Sequence, residues 1–146
     1  MNQPEAPLTD FRMHGLIRRL FFGLLLLFVC NKLWIRPWVI EHLPLPFFHT
    51  IVYTLPNFVE AVVGTFTITA LLFLAKRTWW PTASALGIYT LASSLAAVYV
   101  ITQELKIHNL GGRNVYDPYD LLASVSGLAF GYWMLLRYGF LAKPTT

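Results

Sequence analysis

The sequence has little charge. Only 12% of its 146 residues are Asp, Glu, Lys or Arg, about half of the roughly 25% that is usual in soluble globular domains. Hydrophobic residues make up 56% of the chain, and a soluble fold of this length could not hide so much apolar surface from water. The composition therefore excludes an ordinary soluble domain and predicts an integral membrane protein, for which the bilayer is the solvent.

Cysteine and catalytic motifs are also scarce. Cys30 is the single cysteine and lies inside an apolar run, which excludes an intrachain disulfide and a cysteine-based metal site. The chain contains no H-E-x-x-H and no G-x-S-x-G motif, and Gly111-Gly112 is followed by no Lys-Ser/Thr of a phosphate loop. We therefore predict no metal and no cofactor.

Basic residues are in excess, with a net charge of +4, but they do not form a nucleic-acid-binding stripe. They lie at the ends of apolar runs, where Lys and Arg act as a topology signal. We therefore expect no nucleic-acid partner. Tryptophans such as Trp34, Trp38, Trp79 and Trp80 also lie near the ends of these runs, as in the aromatic belts of membrane proteins.

Four apolar runs are present and predict a single transmembrane domain over residues 1–146 with four helical spans. The spans are expected at about residues 17–34, 57–75, 81–101 and 120–136. Residues 36–56 are apolar too, but four prolines, which break helices, predict that this segment is an outer loop. We expect it to lie partly in the membrane interface, with one or two helical turns around residues 47–53.

The distribution of Lys and Arg predicts the orientation. If both termini are cytoplasmic, the inner side carries 7 of the 11 basic residues and the outer side carries 4: Arg12, Arg18, Arg19, Lys76, Arg77, Arg137 and Lys143 inside, and Lys32, Arg36, Lys106 and Arg113 outside. The predicted fold is therefore an all-α, integral membrane four-helix bundle with both termini in the cytoplasm. We expect a multi-pass protein of the cell membrane, specifically a bacterial inner or plasma membrane.

Two predicted spans begin with the same polar pattern. Asn57 precedes Glu60, and Asp117 precedes Asp120, each by three residues. This spacing is typical of a capping box, in which the first side chain accepts from backbone N–H groups and the acid reaches back toward the cap. A purely structural role as helix caps is therefore one interpretation of these residues.

A polar pocket is the other interpretation. In the predicted topology five charged residues lie at the outer face: Glu60, Glu104, Arg113, Asp117 and Asp120. Small and hydroxyl residues follow at helical spacing, for example Gly64 and Thr67 on span 2, which allows helices to approach closely. Ionisable groups that face a bundle interior are candidates for function, whereas a seam in which Arg113 neutralises one or two acids would be structural.

The stretch Glu104–Tyr132 contains Glu104, the Gly112-Arg113 turn, Asp117 with Asp120-Leu121-Leu122-Ala123, and the later Gly127 and Gly131. With this set of residues it resembles the VanZ-like family of small membrane proteins. Ser124 stands where that family usually has Asn, and Gln103 precedes the acid rather than following it. The resemblance implies a role in the cell envelope, since the name-giving member is linked to teicoplanin resistance, and it implies that Glu104, Arg113, Asp117 and Asp120 are the characteristic polar set.

Three functional hypotheses are compatible with these features. The first is that an outer-face pocket binds a lipid or an amphiphilic envelope compound. The second is a non-catalytic accessory or assembly subunit, with a membrane-protein partner or a second copy of the chain. The third is an intramembrane enzyme that acts on a lipid-linked substrate with a carboxylate as general acid or base. No motif supports catalysis, so the non-catalytic hypotheses are favoured.

Overall fold

The computed structural model describes residues 11–104 and 117–142, and these are almost entirely helical. The helices are α1 (Gly15–Cys30), α2 (Arg36–His42), α3 (Pro46–Trp79), α4 (Ala85–Glu104) and α5 (Pro118–Arg137). A π-helical segment, Asn31–Ile35, joins α1 to α2. Two three-residue strands, β1 (Phe11–Met13) and β2 (Phe140–Ala142), form the remaining regular structure in the described ranges. The predicted all-α class is confirmed apart from this short ribbon.

The prediction that residues 36–56 form a loop is wrong. Helical structure runs without interruption from Gly15 to His42 and resumes at Pro46, so only Leu43–Leu45 is irregular. Pro46 stands in the first turn of α3, where the missing N–H has no intrahelical acceptor to lose. Pro37 comes shortly after the π-helical segment Asn31–Ile35, at whose end the Arg36 N–H bonds to the Asn31 carbonyl oxygen. The helical turns expected around residues 47–53 are present, but they belong to α3.

Pro56 lies inside α3, where it removes the N–H that would bond to the carbonyl of Val52. Asn31 supplies the missing donor, because its side-chain Nδ2 donates to the Val52 carbonyl oxygen at 2.9 Å. Asn31 is completely buried. A carbonyl without a donor is costly where no water is at hand, so this bond explains how a proline is accommodated in a continuous 34-residue helix.

Helix α3 is the centre of the fold and packs against α1, α4 and α5. Its closest neighbour is α5. A Cβ at Gly127 would clash with the carbonyl oxygen of Phe58 and would lie 2.9 Å from the Ala61 Cβ, while Gly131 faces Thr65. The residue order of these contacts shows that α3 and α5 are parallel. The largest completely buried apolar side chains belong to α1, α3 and α5: Phe66, Ile17, Leu135, Val59 and Val62.

Helix α4 is antiparallel to α3. Tyr99 near its end meets Glu60, whereas Tyr89 near its start packs its ring 5.8 Å from that of Phe73. The span predicted at 81–101 begins later in the structure, because Pro81 lies in a turn and the helix begins at Ala85. Ser84 caps it instead, with its Oγ accepting from the Gly87 N–H at 3.0 Å. A serine oxygen satisfies an otherwise unbonded first-turn donor better than proline, which can cap nothing.

The two strands bring the described chain ends together. They pair antiparallel, with Phe11 opposite Ala142 and Met13 opposite Phe140. Gly139, between α5 and β2, has a φ of +55°, and a Cβ there would lie 2.5 Å from the Tyr89 hydroxyl oxygen. Glycine is the residue that fits both the positive φ and the close approach.

Three helical segments are long and apolar enough to cross a membrane: Pro46–Lys76, Ala85–Glu104 and Pro118–Arg137. Large apolar side chains are exposed on the outer surface of each, as at Leu74, Leu86 and Leu122. Such a surface is stable against lipid tails and unstable against water. The fold is therefore that of a multi-pass membrane protein. The spans predicted at 57–75 and 120–136 lie within longer helices that begin at Pro46 and Pro118.

Candidate functional site

Glu60 does not lie at a helix start. Both Asn57 and Glu60 are in the interior of α3, about three turns after it begins at Pro46. The predicted capping box at Asn57 is therefore not formed, because the backbone N–H groups around it are already bonded within the helix. The removal of this structural role leaves Glu60 as a carboxylate in the interior of a candidate membrane span.

Tyr99 of α4 contacts this carboxylate. Its hydroxyl donates to Glu60 Oε1 at 3.3 Å. Glu60 is half-buried, and Tyr99 is 56% exposed. Because Gly127 of α5 packs on Phe58 and Ala61, Glu60 stands at the height of Gly127, about 13 Å along α5 from its start at Pro118. The pair therefore lies far from the helix ends, on the side of the bundle, where it is partly exposed.

Open space adjoins this pair. Gly64 lies one turn after Glu60, on the same face of α3, and a Cβ at Gly64 would have no neighbouring atom within 4 Å. Thr67, a further turn along, is exposed. We call Glu60, Gly64, Thr67 and Tyr99 the Glu60 groove. The predicted stripe of small and polar residues on span 2 therefore lies on the side of the bundle and is not enclosed in its interior.

The span 4 stripe is different, since it is packed against α3. Ser124, Gly127 and Gly131 are all buried. Ser124 is completely buried, and within residues 11–104 and 117–142 its Oγ has no hydrogen-bonding partner. This stripe brings two helix backbones close together, which is the packing role that small residues have in membranes.

Asp117 is the N-cap of α5. Its carboxylate accepts from the Tyr119 N–H at 2.9 Å, Pro118 follows in the first turn, and Asp120 lies in the same turn. The bond from Tyr119 to Asp117 is the cap that the sequence predicts, and Asp120 in the first turn faces the positive end of the helix dipole. Asp117 therefore has a structural role that requires no ligand.

Glu104 is the last residue of α4 and is half-buried. Its predicted partner Arg113 lies outside the described residues, so the Glu104–Arg113 pair is not part of the geometry. Glu104 is about 7.5 Å along α4 from Tyr99. The five predicted site residues therefore do not form one cluster. Glu60 lies in the interior of a helix, Glu104, Asp117 and Asp120 lie at helix ends, and Arg113 lies outside the described residues. Among the described residues, no three His, Cys, Asp or Glu side chains come close enough together to hold a metal ion.

Asn31 is the polar residue that the sequence interpretation missed. It is buried and bonded to Val52, and its Oδ1 has no partner in the described part of the chain. Two sequence signals point to it in retrospect. An asparagine interrupts an apolar run, and a proline interrupts another run of similar length. A polar group in an apolar environment needs a partner, and here the Asn31 amide N–H and the Val52 carbonyl oxygen are partners of each other.

Comparison with known proteins gives no match. No family model, no curated protein and no solved structure is similar to this chain at a significant level.

Proposed function

We propose that this chain is a small multi-pass protein of the cell envelope whose Glu60 groove binds the polar group of a lipid or another amphiphile. The observation that carries the proposal is the bond from Tyr99 to the Glu60 carboxylate on the side of the bundle. Tyr99 occupies one acceptor position of a carboxylate that has several. A ligand with an O–H or N–H donor would occupy another, and its chain would lie over Gly64.

The position of Glu60 within a candidate membrane span favours such a ligand over a purely structural Glu60–Tyr99 pair. A carboxylate within a membrane span is expensive and is retained in general for function. Leu95 and Val98, which precede Tyr99 on α4 by four residues and by one, are exposed, so a ligand can approach Tyr99 through the bilayer. The proposal differs from the sequence-based hypothesis in two respects: the ligand enters from the side, and Glu60 rather than the helix-end acids is the centre of the site.

The test compares three probes that carry 18-carbon monounsaturated chains, one chain in oleylamine and methyl oleate and two in dioleoylglycerol, and that differ in their polar group. Oleylamine and dioleoylglycerol carry donors, whereas methyl oleate carries none. Native mass spectrometry of the purified protein in mild detergent should show retention of the two donor probes and little retention of methyl oleate. Glu60→Gln should reduce oleylamine retention about tenfold, because it removes the charge that strengthens the hydrogen bond. Gly64→Leu should reduce retention of both donor probes by filling the open space.

Glu41→Gln is the matched control, because Glu41 is an exposed carboxylate on α2 outside the groove. It should leave retention unchanged. Equal retention of all three probes, or equal loss with Glu41→Gln and Glu60→Gln, would contradict the proposal. A stoichiometric protein that co-purifies while no probe is retained would support the accessory-subunit alternative instead.

The proposal includes four membrane crossings with both ends in the cytoplasm. Its support is a parity argument: the strands Phe11–Met13 and Phe140–Ala142 are paired, so the chain between them crosses an even number of times. Three candidate spans alone would be odd, and the continuous helical run from Gly15 to His42 would supply the fourth. Reporter fusions after residue 146 and in the turn after Trp80 should both report the cytoplasm. An external signal at either site would contradict this topology.

A further inference from the structure

The segment around α2 has an aromatic and basic surface that the proposed ligand site does not use. Trp34 is 64% exposed and Trp38, one turn later, is 54% exposed. Phe47, in the first turn of α3, is 68% exposed. Lys32 and Arg36 have the same spacing as the two tryptophans, so basic and aromatic side chains alternate along this part of the chain. We call Lys32–Phe47 the aromatic tip.

The height of the aromatic tip follows from its contacts. Because α3 and α5 are parallel and Gly127 packs on Phe58, the start of α5 at Pro118 is level with His49 of α3. His49 Nε2 is 2.7 Å from the Leu43 carbonyl oxygen. This contact lies just after the end of α2, and at the first residue of α2 the Arg36 guanidinium lies 3.9 Å from the centre of the Tyr53 ring. Helix α2 is thus held beside α3 at the height where α5 begins.

That height is the edge of the apolar part of the bundle. Asp117 and Asp120 at the start of α5 are charged, whereas the 20 residues of α5 have the length of a hydrocarbon core, about 30 Å. Tryptophan rings have an apolar body with one N–H donor and concentrate at this boundary, and basic side chains beside them reach lipid phosphates. The exposed surface of the tip continues into the exposed apolar surface of the candidate span Pro46–Lys76.

We infer that the aromatic tip is a membrane-interface anchor: Trp34 and Trp38 lie among the upper acyl chains of the leaflet on the side where α5 begins, and Lys32 and Arg36 contact phospholipid phosphates. The occupant of this surface is the bilayer itself. This inference does not depend on the Glu60 groove, which lies deeper and on another part of α3. In this inference α2 does more than connect α1 to α3, because the tip fixes the depth of the bundle in the bilayer.

The test uses the depth of Trp38. A variant that keeps Trp38 and replaces the other four tryptophans by Phe is reconstituted in phosphatidylcholine–phosphatidylglycerol vesicles. Lipids brominated at carbons 6 and 7 should quench its fluorescence at least twofold more than lipids brominated at carbons 11 and 12. The matched variant that keeps Trp133, which is exposed on α5 near the buried Gly131, should show no preference for the shallow bromines.

The charge contribution is tested by Lys32→Gln in the Trp38 variant, which should bring the two quenching values closer together. Arg36 is kept in this variant because its guanidinium also packs on the Tyr53 ring. Lys76→Gln, at the opposite end of α3, should not change the ratio. If the four-fold replacement fails to fold, Trp38→Phe alone in the otherwise intact protein should lower the shallow quenching selectively. Absence of quenching at Trp38, whether water or a second protein chain covers it, would overturn the inference, as would a profile identical to that of Trp133.

Discussion

Helix α3 is packed on two sides by different means. Towards α5 the contact is a close approach of the two helices, because Gly127 and Gly131 have no side chains and let the backbone of α5 approach Phe58 and Thr65 directly. Towards α1 the contact is made by apolar side chains such as Ile17 and by one buried polar bond, from Asn31 to Val52. The first contact tolerates no added volume, and the second tolerates no loss of a donor. Substitutions should distinguish them sharply.

The largest effect is expected at Gly127. Gly127→Leu places carbon atoms where the Phe58 carbonyl and the Ala61 side chain already lie, and overpacking of this kind costs about 3 kcal/mol of unfolding free energy. Thermal unfolding in mild detergent should show a large drop in midpoint. Gly23→Leu on α1 is the matched control, since a Cβ at Gly23 meets nothing within 4 Å. Equal destabilisation by the two changes would mean that close approach of α3 and α5 is not important for stability.

An intermediate effect is expected at Asn31. Asn31→Leu removes the donor to the Val52 carbonyl, and a buried acceptor without a partner costs about 2 kcal/mol. Pro56→Ala restores a backbone N–H that can bond to the same carbonyl, so Asn31→Leu should cost about 1 kcal/mol less in the Pro56→Ala background. Chemical denaturation of the four proteins of this cycle measures the difference. If Asn31→Leu is equally costly in both backgrounds, the proline and the asparagine are not coupled.

The smallest effect is expected at Asp117, which stabilises α5 locally and not its contact with α3. Asp117→Ala should cost about 1 kcal/mol through loss of the N-cap, whereas Asp117→Asn should keep most of the stability, because an amide oxygen can also accept from the Tyr119 N–H. The comparison is again made by thermal unfolding. A loss with Asn as large as that with Ala would show that Asp117 acts through its charge.

The sequence predicts the membrane class and the helical content because both depend on composition and on the length of apolar runs. The cap at Asp117 follows from local order, since Asp117, Pro118 and Asp120 are adjacent in the chain. The outer loop and the cap at Asn57 were predicted wrongly for a shared reason. Both predictions treat Pro56 as a helix end, and the donor that makes Pro56 tolerable comes from Asn31, 21 residues earlier than Val52.

The candidate site shows the same division. Glu60 could be singled out from sequence as an acid beside an apolar run, but its neighbour Tyr99 is separated from it by 39 residues. Whether Glu60 faces a neighbouring helix or the surface also depends on which sides of α3 are covered by α4 and α5, and no local sequence pattern determines this. Glu104 lies at a helix end, as predicted. The grouping of the five charged residues into one pocket assumes that Glu60 also lies at a helix end, whereas it lies inside α3.

The ribbon that joins Phe11 to Ala142 has a consequence for engineering. Paired residues on antiparallel strands have Cα atoms about 5 Å apart, so a linker of a few residues could join the two strands covalently. New termini could then be opened in the irregular turn at Pro81–Ala83, between α3 and α4. Such a circular permutant would keep every helix contact while starting the chain at α4, and its insertion would reveal whether α4 and α5 can enter the membrane before α1 and α3 have been made.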